Sequence, residues 1–434
     1  MEIREKLLSV AKKATDMLVS HGSEGACARA SYTETEEFNV DGGEFSLLRT
    51  VISQSIELDV IKGKRYATVS LNKIDDDSVE AAVRECLLSA EAADEDGHRR
   101  IAPDMGSRIF ENDCTECDKD LFFDRINELC ADIKVRHPLI IVEQMIGRHR
   151  KRLSAYVNSS GSQFICDRGS YELDLMYSAH RGEESTSFFS DGFITDTLDT
   201  RFIEMCEVDK NLSDVENQLG ATPFDGKFTG VAVLTPSALG GFIYDLYSRF
   251  LSGSSVMSKS TPWLNSTGER VVDERITLSA LPDGRAITPS PYSMDGYLNE
   301  NCAFIENGIL KTLAVSDYVA RKCGYERAKS SFSSISLSNG DTPLADIISK
   351  IDKGIVVGRF SGGETSANGD FAGVAKNSFL IENGKITAPL TETMISGNLS
   401  QIFNSVINIS SETVFDGSTS MPYMAVGNVT VSGK

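Results

Sequence analysis

The chain lacks any apolar run long enough to cross a membrane, which takes about 20 residues. Its first segment, MEIREKLLSVAKKATDMLVSHG, is interrupted by charged side chains and has no apolar centre like that of a signal peptide. We therefore expect a cytoplasmic protein with no membrane association. The nine cysteines are scattered and odd in number, which favours reduced thiols over a disulfide framework.

Several catalytic signatures are also missing. No G-x-S-x-G nucleophile elbow occurs, and no Ser/His/Asp arrangement can be argued from the spacing. The glycine-rich stretch 361–370 fits neither a P-loop nor a dinucleotide fingerprint, because a strand and not a helix is predicted to follow it. Close backbone packing is the predicted role of these glycines.

Basic residues are in the minority, with 43 Lys and Arg against 63 Asp and Glu, for a net charge of −20. This balance disfavours broad attraction to nucleic acid or to an anionic membrane. The one dense basic run, residues 148–152, could contact phosphate. Since it lacks interleaved aromatic residues, we predict a solvated turn between strands.

Cys114 and Cys117 form a C-x-x-C pair that could belong to a zinc or redox site. A structural zinc site needs four ligands, and here no second pair or adjacent histidine accompanies the two thiols. We therefore interpret them as incidental cysteines in a polar linker.

At 434 residues with 41% hydrophobic side chains, the chain is long enough for two or three domains. Its N-terminal half alternates predicted helices with predicted antiparallel strands. The helices are 3–20, 75–93 and 121–135; the extended segments are 25–41 and 49–71, followed by short strands 139–146, 154–157, 163–168 and 171–180. Residues 94–120 are polar and acidic and are predicted to form a link.

The C-terminal half opens with a predicted strand, Val231 to Leu234, and a helix from Pro236 to Phe250, since proline suits a first helical turn. Strands and turns follow, including two similar segments, AFIENGILKTL and FLIENGKITAPL. In each, Asn-Gly suits the positive φ angles of a two-residue hairpin turn. The predicted fold class is α+β, with domains 1–100, 113–215 and a β-rich domain 223–434.

One long motif runs from Ser366 to Asn398, SANGDFAGVAKNSFLIENGKITAPLTETMISGN. Exposed polar side chains beside glycines often face a cleft. Four residues are therefore candidates for contact with a substrate: Asn368, Asp370, Phe371 and Asn398. The alternative is that the Asn and Asp side chains only cap loops, because these residues are common turn formers.

This motif closely resembles the C-terminal signature of the TldD/PmbA family, described as a two-subunit metalloprotease and as modulators of DNA gyrase. Asn299 to Gly324 resembles a second block of the family, and Met424 to Gly433 resembles its closing strand. Through the C-terminal half, these blocks follow one another in the same order as in the family. The N-terminal half resembles the family mainly in its pattern of helices and strands.

In the metal-binding half of that family, TldD, the helix after the Val231–Leu234 strand carries HExxxH, and a cysteine near the C-terminus completes the site. Here that helix reads PSALGGFIYDLYSRF, and no cysteine follows Cys323. None of the five histidines precedes a glutamate or has another histidine within a helical turn. The resemblance therefore implies the metal-free half, PmbA/TldE, with no metal ligands, no catalytic residues and no cofactor.

The resemblance also implies a partner, a TldD-like metallopeptidase subunit, and a peptide as a possible substrate. Alone, the chain is expected to be inactive and to form a homodimer through its C-terminal half. Two alternatives stay open. One is a regulatory protein that modulates a nucleic-acid enzyme such as DNA gyrase, and the other is an independent hydrolase with an unrecognised site.

Overall fold

The N-terminal part of the computed structural model, which describes residues 3–391 and 393–433, is built on one sheet of long strands. Its strand order is β3-β2-β1-β5-β6-β4, with β7 and β8 also paired to β6. The strands are β1 Gly25–Asp41, β2 Glu44–Lys62, β3 Arg65–Leu71, β4 Ser107–Glu111, β5 Ile140–Asn158, β6 Gln163–Arg181, β7 Glu184–Ser185 and β8 Phe189–Thr195.

Helices cover the two ends of this sheet and give it two cores. Near one end, α1 Ile3–Ser20 and α2 Asp76–Ala92 pack on alternate residues of β1 such as Ala28. Toward the other end, α3 Lys119–Arg136 and α4 Val208–Glu216 pack with Phe38 of the same strand. Because side chains two apart share a face of a strand, one long strand supplies both cores.

The C-terminal part is built on a second sheet. Helix α5 Pro236–Leu246 packs against strand β22 of this sheet. Its main path runs β13-β12-β11-β14-β22-β10-β15-β18-β19-β9. The strands are β9 Thr222–Pro223, β10 Lys227–Leu234, β11 Leu278–Ala280, β12 Cys302–Glu306, β13 Ile309–Leu310, β14 Ile335–Leu337, β15 Lys353–Val357, β16 Arg359–Ser361, β17 Asp370–Lys376, β18 Ser378–Glu382, β19 Lys385–Thr391, β20 Thr393–Asn398, β21 Val406–Phe415 and β22 Ser420–Ser432.

Short helices complete this part. They are α6 Gly253–Met257, α7 Asp317–Cys323, α8 Leu344–Ser349 and α9 Leu399–Phe403, with a π-helical turn Tyr247–Leu251 after α5 and a 3₁₀ turn Phe202–Glu204 before α4. Within residues 3–391 and 393–433, none of the helices has the length and apolar character that crossing a bilayer demands.

The predicted α+β class is confirmed, as are the helices at 3–20 and 75–93 within a residue or two. The two Asn-Gly turns are also confirmed. Asn307 and Gly308 have φ angles of 48° and 78°, and Asn383 and Gly384 have 50° and 75°, as the two-residue hairpin turn requires.

The division of residues 139–180 into four short strands is wrong at two of its three breaks, because the structure has two long strands there, β5 and β6, and the turn between them lies at the predicted break between 157 and 163. Gly147 and Gly169, which fall in the two wrongly predicted breaks, lie inside the ladder, where they permit close packing. A Cβ atom on Gly147 would lie 2.6 Å from Ile126 Cδ1, and one on Gly169 would lie 1.5 Å from the Cys114 carbonyl oxygen. The predicted link 94–120 also contains a strand, β4.

Strands between residues 25 and 195 form the first sheet, and strands between 222 and 432 form the second. The proposed units 1–100 and 113–215 both contribute strands to the first sheet. The division of the chain into three domains stays a prediction.

Candidate functional site

Three of the four predicted site residues come together at the start of β17. The Asp370 carboxylate accepts hydrogen bonds from Asn368 Nδ2 and from Asn398 Nδ2, both at 2.9 Å. Asn398 lies opposite Asp370 in the ladder between β17 and β20, and its Oδ1 accepts from the Gln401 amide, which caps α9. These side chains therefore tie a loop to a strand and to a helix start.

Phe371 lies elsewhere. Only 4% of it is exposed, and its ring lies 5.0 Å from the Phe242 ring of α5 and 5.7 Å from the Phe360 ring. The neighbouring Gly369 has φ of +90°, and a Cβ atom there would lie 2.7 Å from Phe250 Cζ. The motif thus packs α5 against the sheet, and a contact of its four candidate residues with substrate stays a prediction.

Helix α5 begins where β10 ends. Thr235 caps the helix, since its Oγ1 accepts from the Ala238 amide at 3.3 Å and donates to the Gly358 carbonyl at 2.9 Å. Proline occupies the first turn at Pro236, where its missing N–H costs no hydrogen bond. These hydrogen bonds hold the first turn of α5 beside the C-terminal ends of β10 and β15, which run parallel.

The residues at this helix do not fit the metal that the family's TldD half holds. The one carboxylate of α5, Asp245, accepts a hydrogen bond from Thr365 Oγ1 at 2.7 Å. Among residues 3–391 and 393–433, no group of three His, Cys, Asp or Glu side chains is placed to hold a metal ion.

A cleft of about 630 Å³ opens beside the first turn of α5, between the two sheets. One wall comes from β8, α4 and the segment between them, and the other comes from the C-terminal sheet. Clefts of this size at the junction of structural units are the usual places for ligand binding. We take this cleft as the candidate functional site.

One wall is acidic, and Asp191 of β8 is part of it. Its carboxylate accepts hydrogen bonds from Tyr177 OH and Asn211 Nδ2, both at 2.7 Å. Burial of the carboxylate raises the pKa of Asp191 to about 7, although both hydrogen bonds favour the charged form.

Glu207 and Cys206, just before α4, continue this wall with φ angles of 64° and 49°. Glu207 accepts a hydrogen bond from Tyr423 OH, and burial raises the pKa of that tyrosine well above its ordinary value. The Cys206 thiol donates to the Phe415 carbonyl at 3.1 Å, and burial raises its pKa to about 12. The thiol therefore stays protonated near neutral pH and is a poor nucleophile.

The opposite wall is mainly apolar, with Val356, Phe379 and Pro389 among its residues. Asn377 interrupts it. Asn377 is 8% exposed, and within the described part of the chain neither its Oδ1 nor its Nδ2 has a hydrogen-bond partner. A cleft with one acidic wall, one mainly apolar wall and an amide on the apolar side suits a ligand that carries both polar and apolar groups.

The titratable side chains that line the cleft are mainly acidic. None of the described residues that line it is a histidine, and Lys210 forms an ion pair with Asp214 at 2.7 Å. As far as the described residues extend, the four predicted site residues lie outside the cleft wall. Sequence reasoning missed Asp191, Glu207 and Tyr423, which come from three distant segments with no shared motif.

The basic run 148–152 lies within strand β5, so the predicted turn is wrong. Neighbouring strands supply carboxylates that pair with it. Arg148 Nε lies 3.1 Å from Glu37 Oε2, and Arg152 lies 2.6 Å from Glu172 Oε1. These charges are therefore neutralised within the sheet.

Cys114 and Cys117 lie close to this run. The Cys114 carbonyl contacts His149 Nε2 at 2.9 Å, and burial lowers the pKa of that histidine. Burial raises the pKa of Cys114 to about 11 and of Cys117 to about 12. Both thiols are free and are held in their protonated, unreactive form.

Family models match both parts of this fold. Residues 228–433 match the PmbA/TldA metallopeptidase C-terminal domain, and residues 26–93 match the PmbA/TldA metallopeptidase domain 1. Together these matches cover more than half of the chain. The chain belongs to the TldD/PmbA family.

Some relatives of the chain are named after TldD and others after PmbA. The chain is 28% identical to a zinc metalloprotease TldD homolog of Saccharolobus solfataricus, over 59% of this chain and 61% of that protein. It is 24% identical to a metalloprotease PmbA homolog of Haemophilus influenzae, over 89% of this chain and 84% of that one. The match to a PmbA homolog of Buchnera aphidicola from Acyrthosiphon pisum spans 41% of that protein's length.

Solved structures share the whole fold. TldE from Thermococcus kodakarensis superimposes with a TM-score of 0.85 over 99% of this chain and 100% of that chain, at 20% identity. A Bacteroides thetaiotaomicron protein named as a candidate modulator of DNA gyrase gives 0.84 over 98% of each chain, at 21% identity. At these identities the likeness establishes the fold alone.

Proposed function

We propose that this chain is a metal-free subunit of the PmbA/TldE type, which works with a TldD-like metallopeptidase in the degradation of peptides or proteins. The observation that carries the proposal is the first turn of α5. In the metal-bearing half of the family this helix holds HExxxH, and here it reads PSALGGFIYDLYSRF, from Pro236 to Phe250, with no histidine. The chain is proposed to be inactive alone and to need no cofactor.

The cleft supports a role in binding the peptide. It opens beside the α5 turn, and its two walls differ in chemistry. Apolar groups such as Phe379 can cover a side chain of a peptide, and carboxylates such as Glu207 can attract a basic group. The partner would supply the metal and the water that attacks the peptide bond.

The proposal extends to location and organisation. The nine cysteines are free, which suits a reducing, cytoplasmic setting. We propose three units, 1–100, 113–215 and 223–434, and a homodimer when the partner is absent. Asn368, Asp370, Phe371 and Asn398 are retained as residues that could face substrate in the assembled complex.

Co-expression with a TldD-like protein from the same organism tests the proposal. With a tag on this chain only, we expect the two chains to co-purify, to hold about one metal ion per pair in elemental analysis, and to cleave peptides. The TldD-like protein and this chain, each purified alone, serve as controls. About one zinc ion per copy of this chain alone, or no binding of the TldD-like protein, would contradict the proposal.

A second function has one observation in its favour, the name of the Bacteroides thetaiotaomicron structure. It would make this chain a regulator of a nucleic-acid enzyme such as DNA gyrase. A supercoiling assay with purified gyrase, with and without this chain, tests it. A change in supercoiling, together with no binding of a TldD-like protein, would favour this function over the subunit role.

A further inference from the structure

A second cleft, of about 520 Å³, lies between the two parts of the molecule. Its N-terminal wall comes from β1, β2, β3 and the segment before β4, and its C-terminal wall comes from α7 and the loops around it. None of the described residues that line it also lines the cleft beside the first turn of α5. The molecule therefore has two separate clefts.

Arg99 lies in the second cleft without an ionic partner. Its guanidinium carbon lies 4.4 Å from the centre of the Tyr66 ring and 3.6 Å from the centre of the Tyr318 ring. Among the described residues, no carboxylate forms an ion pair with it. Contacts with aromatic rings hold a guanidinium in place but leave its N–H groups free to donate. Arg99 is therefore an oriented cation whose donors are unused.

Arg327 is a second cation of this kind, on the C-terminal wall. Its guanidinium carbon lies 4.2 Å from the centre of the Tyr297 ring, and its Nη1 donates to the Ala328 carbonyl at 2.8 Å. It too lacks a carboxylate partner in the described part of the chain, although the sequence contains 63 acidic residues. Two arginines without carboxylates in one cleft can bind an anionic group of a ligand.

Two carboxylates of the second cleft also lack a cation. Asp59 accepts hydrogen bonds from the Tyr66 hydroxyl at 2.6 Å and from the Cys27 thiol at 3.3 Å. Asp295 accepts from the Asp317 amide at 3.1 Å and from a serine hydroxyl. These donors are neutral, so neither carboxylate has an ionic partner among the described residues. The other carboxylates of the lining are paired with arginines.

A buried hydroxyl and a pair of aromatic rings belong to the C-terminal side of this cleft. Ser330 is 3% exposed, and within the described part of the chain its Oγ has no hydrogen-bond partner. A buried polar atom without a partner is costly, and a ligand can supply that partner. The rings of Tyr247 and Phe332 stack with their centres 4.0 Å apart, which adds an apolar surface.

We propose that the second cleft binds a small zwitterion, a free amino acid or a short peptide. Its carboxylate pairs with Arg99 and Arg327, and its ammonium group pairs with Asp59 and Asp295. Each charge of such a ligand meets groups that have no ionic partner in the protein. A ligand with negative charge alone would be repelled by the two carboxylates, and a ligand with positive charge alone would be repelled by the two arginines. The stacked rings suit an apolar side chain.

This site goes beyond the proposed role as a subunit and does not depend on it. Since both parts of the molecule contribute walls to the second cleft, a bound zwitterion would contact both parts. Binding to the folded chain alone raises its stability. The melting temperature of the purified chain therefore serves as a readout beside calorimetry.

Titration of the purified chain with L-leucine and with the dipeptide leucyl-leucine gives the first test. We expect heat of binding and a rise in melting temperature with at least one probe. Tighter binding of L-leucine assigns a free amino acid to the site, and tighter binding of leucyl-leucine assigns a short peptide. The N-acetylated form of the tighter probe lacks the ammonium group, and its amide form lacks the carboxylate. Each should bind about tenfold more weakly or less.

Arg99→Gln and Arg327→Gln test the location, because neither residue lines the first cleft. Each change should weaken binding of the tighter probe about tenfold. Neither should alter the affinity for the amide form, since that form has no carboxylate to lose a partner. Arg84→Gln is the matched control, because Arg84 is exposed on α2 and lies outside the second cleft. Circular dichroism checks that each variant is folded, and either arginine variant suffices if the other is not.

Three results would each overturn the proposal. The first is no heat and no rise in melting temperature with either probe up to about 10 mM. The second is equal binding of the free, acetylated and amide forms, or tighter binding of inorganic phosphate than of either zwitterion. The third is natural affinity in the folded variants Arg99→Gln and Arg327→Gln, which would place the probe elsewhere on the molecule.

Discussion

The fold strongly affects the ionisation of Asp191, a residue of the cleft wall. Its carboxylate is held by Tyr177 OH and Asn211 Nδ2, yet burial dominates and raises its pKa from 3.8 to about 7. The folded protein therefore binds a proton at this site more tightly than the unfolded chain does. Stability gained from this proton is fully present below pH 3.8 and is lost as the pH rises through 7.

Asp191→Asn should remove this dependence, because an asparagine accepts from Tyr177 without titrating. The free energy of unfolding of the natural protein, relative to the variant, should fall by about 2–4 kcal/mol between pH 4 and pH 8. Urea denaturation at a series of pH values measures it. Asp214→Asn is the control on the same cleft, in an exposed pair with Lys210. A constant difference between Asp191→Asn and the natural protein would contradict the prediction.

At the scale of residues, sequence reasoning finds what a local motif carries. It brought Asp370 and Asn398 together as candidates, and the structure pairs them across two strands. It gave no reason to join Asp191, Glu207 and Tyr423, because they meet in the cleft only where β8, the turn before α4 and β22 come together. The raised pKa of Asp191 likewise depends on burial, which no single segment specifies.

At the scale of elements, β5 shows how a charged sequence can be a central strand. The run 148–152 lies between β1 and β6, and carboxylates from both neighbours face it. The Glu37 carboxylate is 9% exposed and contacts both Arg148 and Arg49. Removing one partner of a buried carboxylate is costly, because the charge is left incompletely paired.

Arg148→Gln should lower the free energy of unfolding by about 1–3 kcal/mol, because Glu37 would keep only Arg49. Lys151→Gln, in the same run, is the matched control. Its partner Glu116 is 85% exposed, so the change should stay within about 0.5 kcal/mol. Chemical denaturation compares the two. Equal small losses would show that the pairs in β5 contribute nothing, and a loss of DNA binding without a loss of stability would favour a nucleic-acid role.

Elements with strong local signals were predicted well. The Asp75 side chain caps α2 by accepting from the Ser78 amide at 3.0 Å, and acidic caps are visible in a sequence. The long strands were divided at the charged run 148–152 and at residues 169–170, and Gly147 and Gly169 fall in these two predicted breaks. The folded structure shows why strands tolerate these residues. A Cβ atom at Gly147 would collide with α3, and one at Gly169 would collide with the Cys114 backbone. Carboxylates on neighbouring strands neutralise the arginines.

At the scale of the whole molecule, the two sheets are joined by an aromatic cluster from both parts. Tyr292, from the loop after β11, lies with its ring 4.9 Å from Phe164 and 5.6 Å from Tyr156 of the N-terminal sheet. Gly296 allows the loop to come this close, because a Cβ atom there would lie 2.0 Å from Tyr156 OH. An ion pair between Arg100 and Asp317 joins the same two parts.

This cluster should make the two parts unfold together. The single tryptophan, Trp263, is buried in the C-terminal core, so its fluorescence reports that part, whereas far-ultraviolet circular dichroism reports both. We expect the two signals to follow one transition in the natural protein. Tyr292→Ala removes the ring at the junction and should cost about 2–4 kcal/mol, enough to separate the two transitions.

Tyr244→Ala is the matched control, because Tyr244 is 64% exposed on α5 and its loss should leave the signals coincident. Separate transitions in the natural protein would mean that the junction does not couple the sheets, and coincident transitions in Tyr292→Ala would mean that other contacts suffice. The distinction bears on the cleft. Since its acidic wall belongs to one part and its apolar wall to the other, only a molecule that holds both parts in register can bring the two walls together in one cleft.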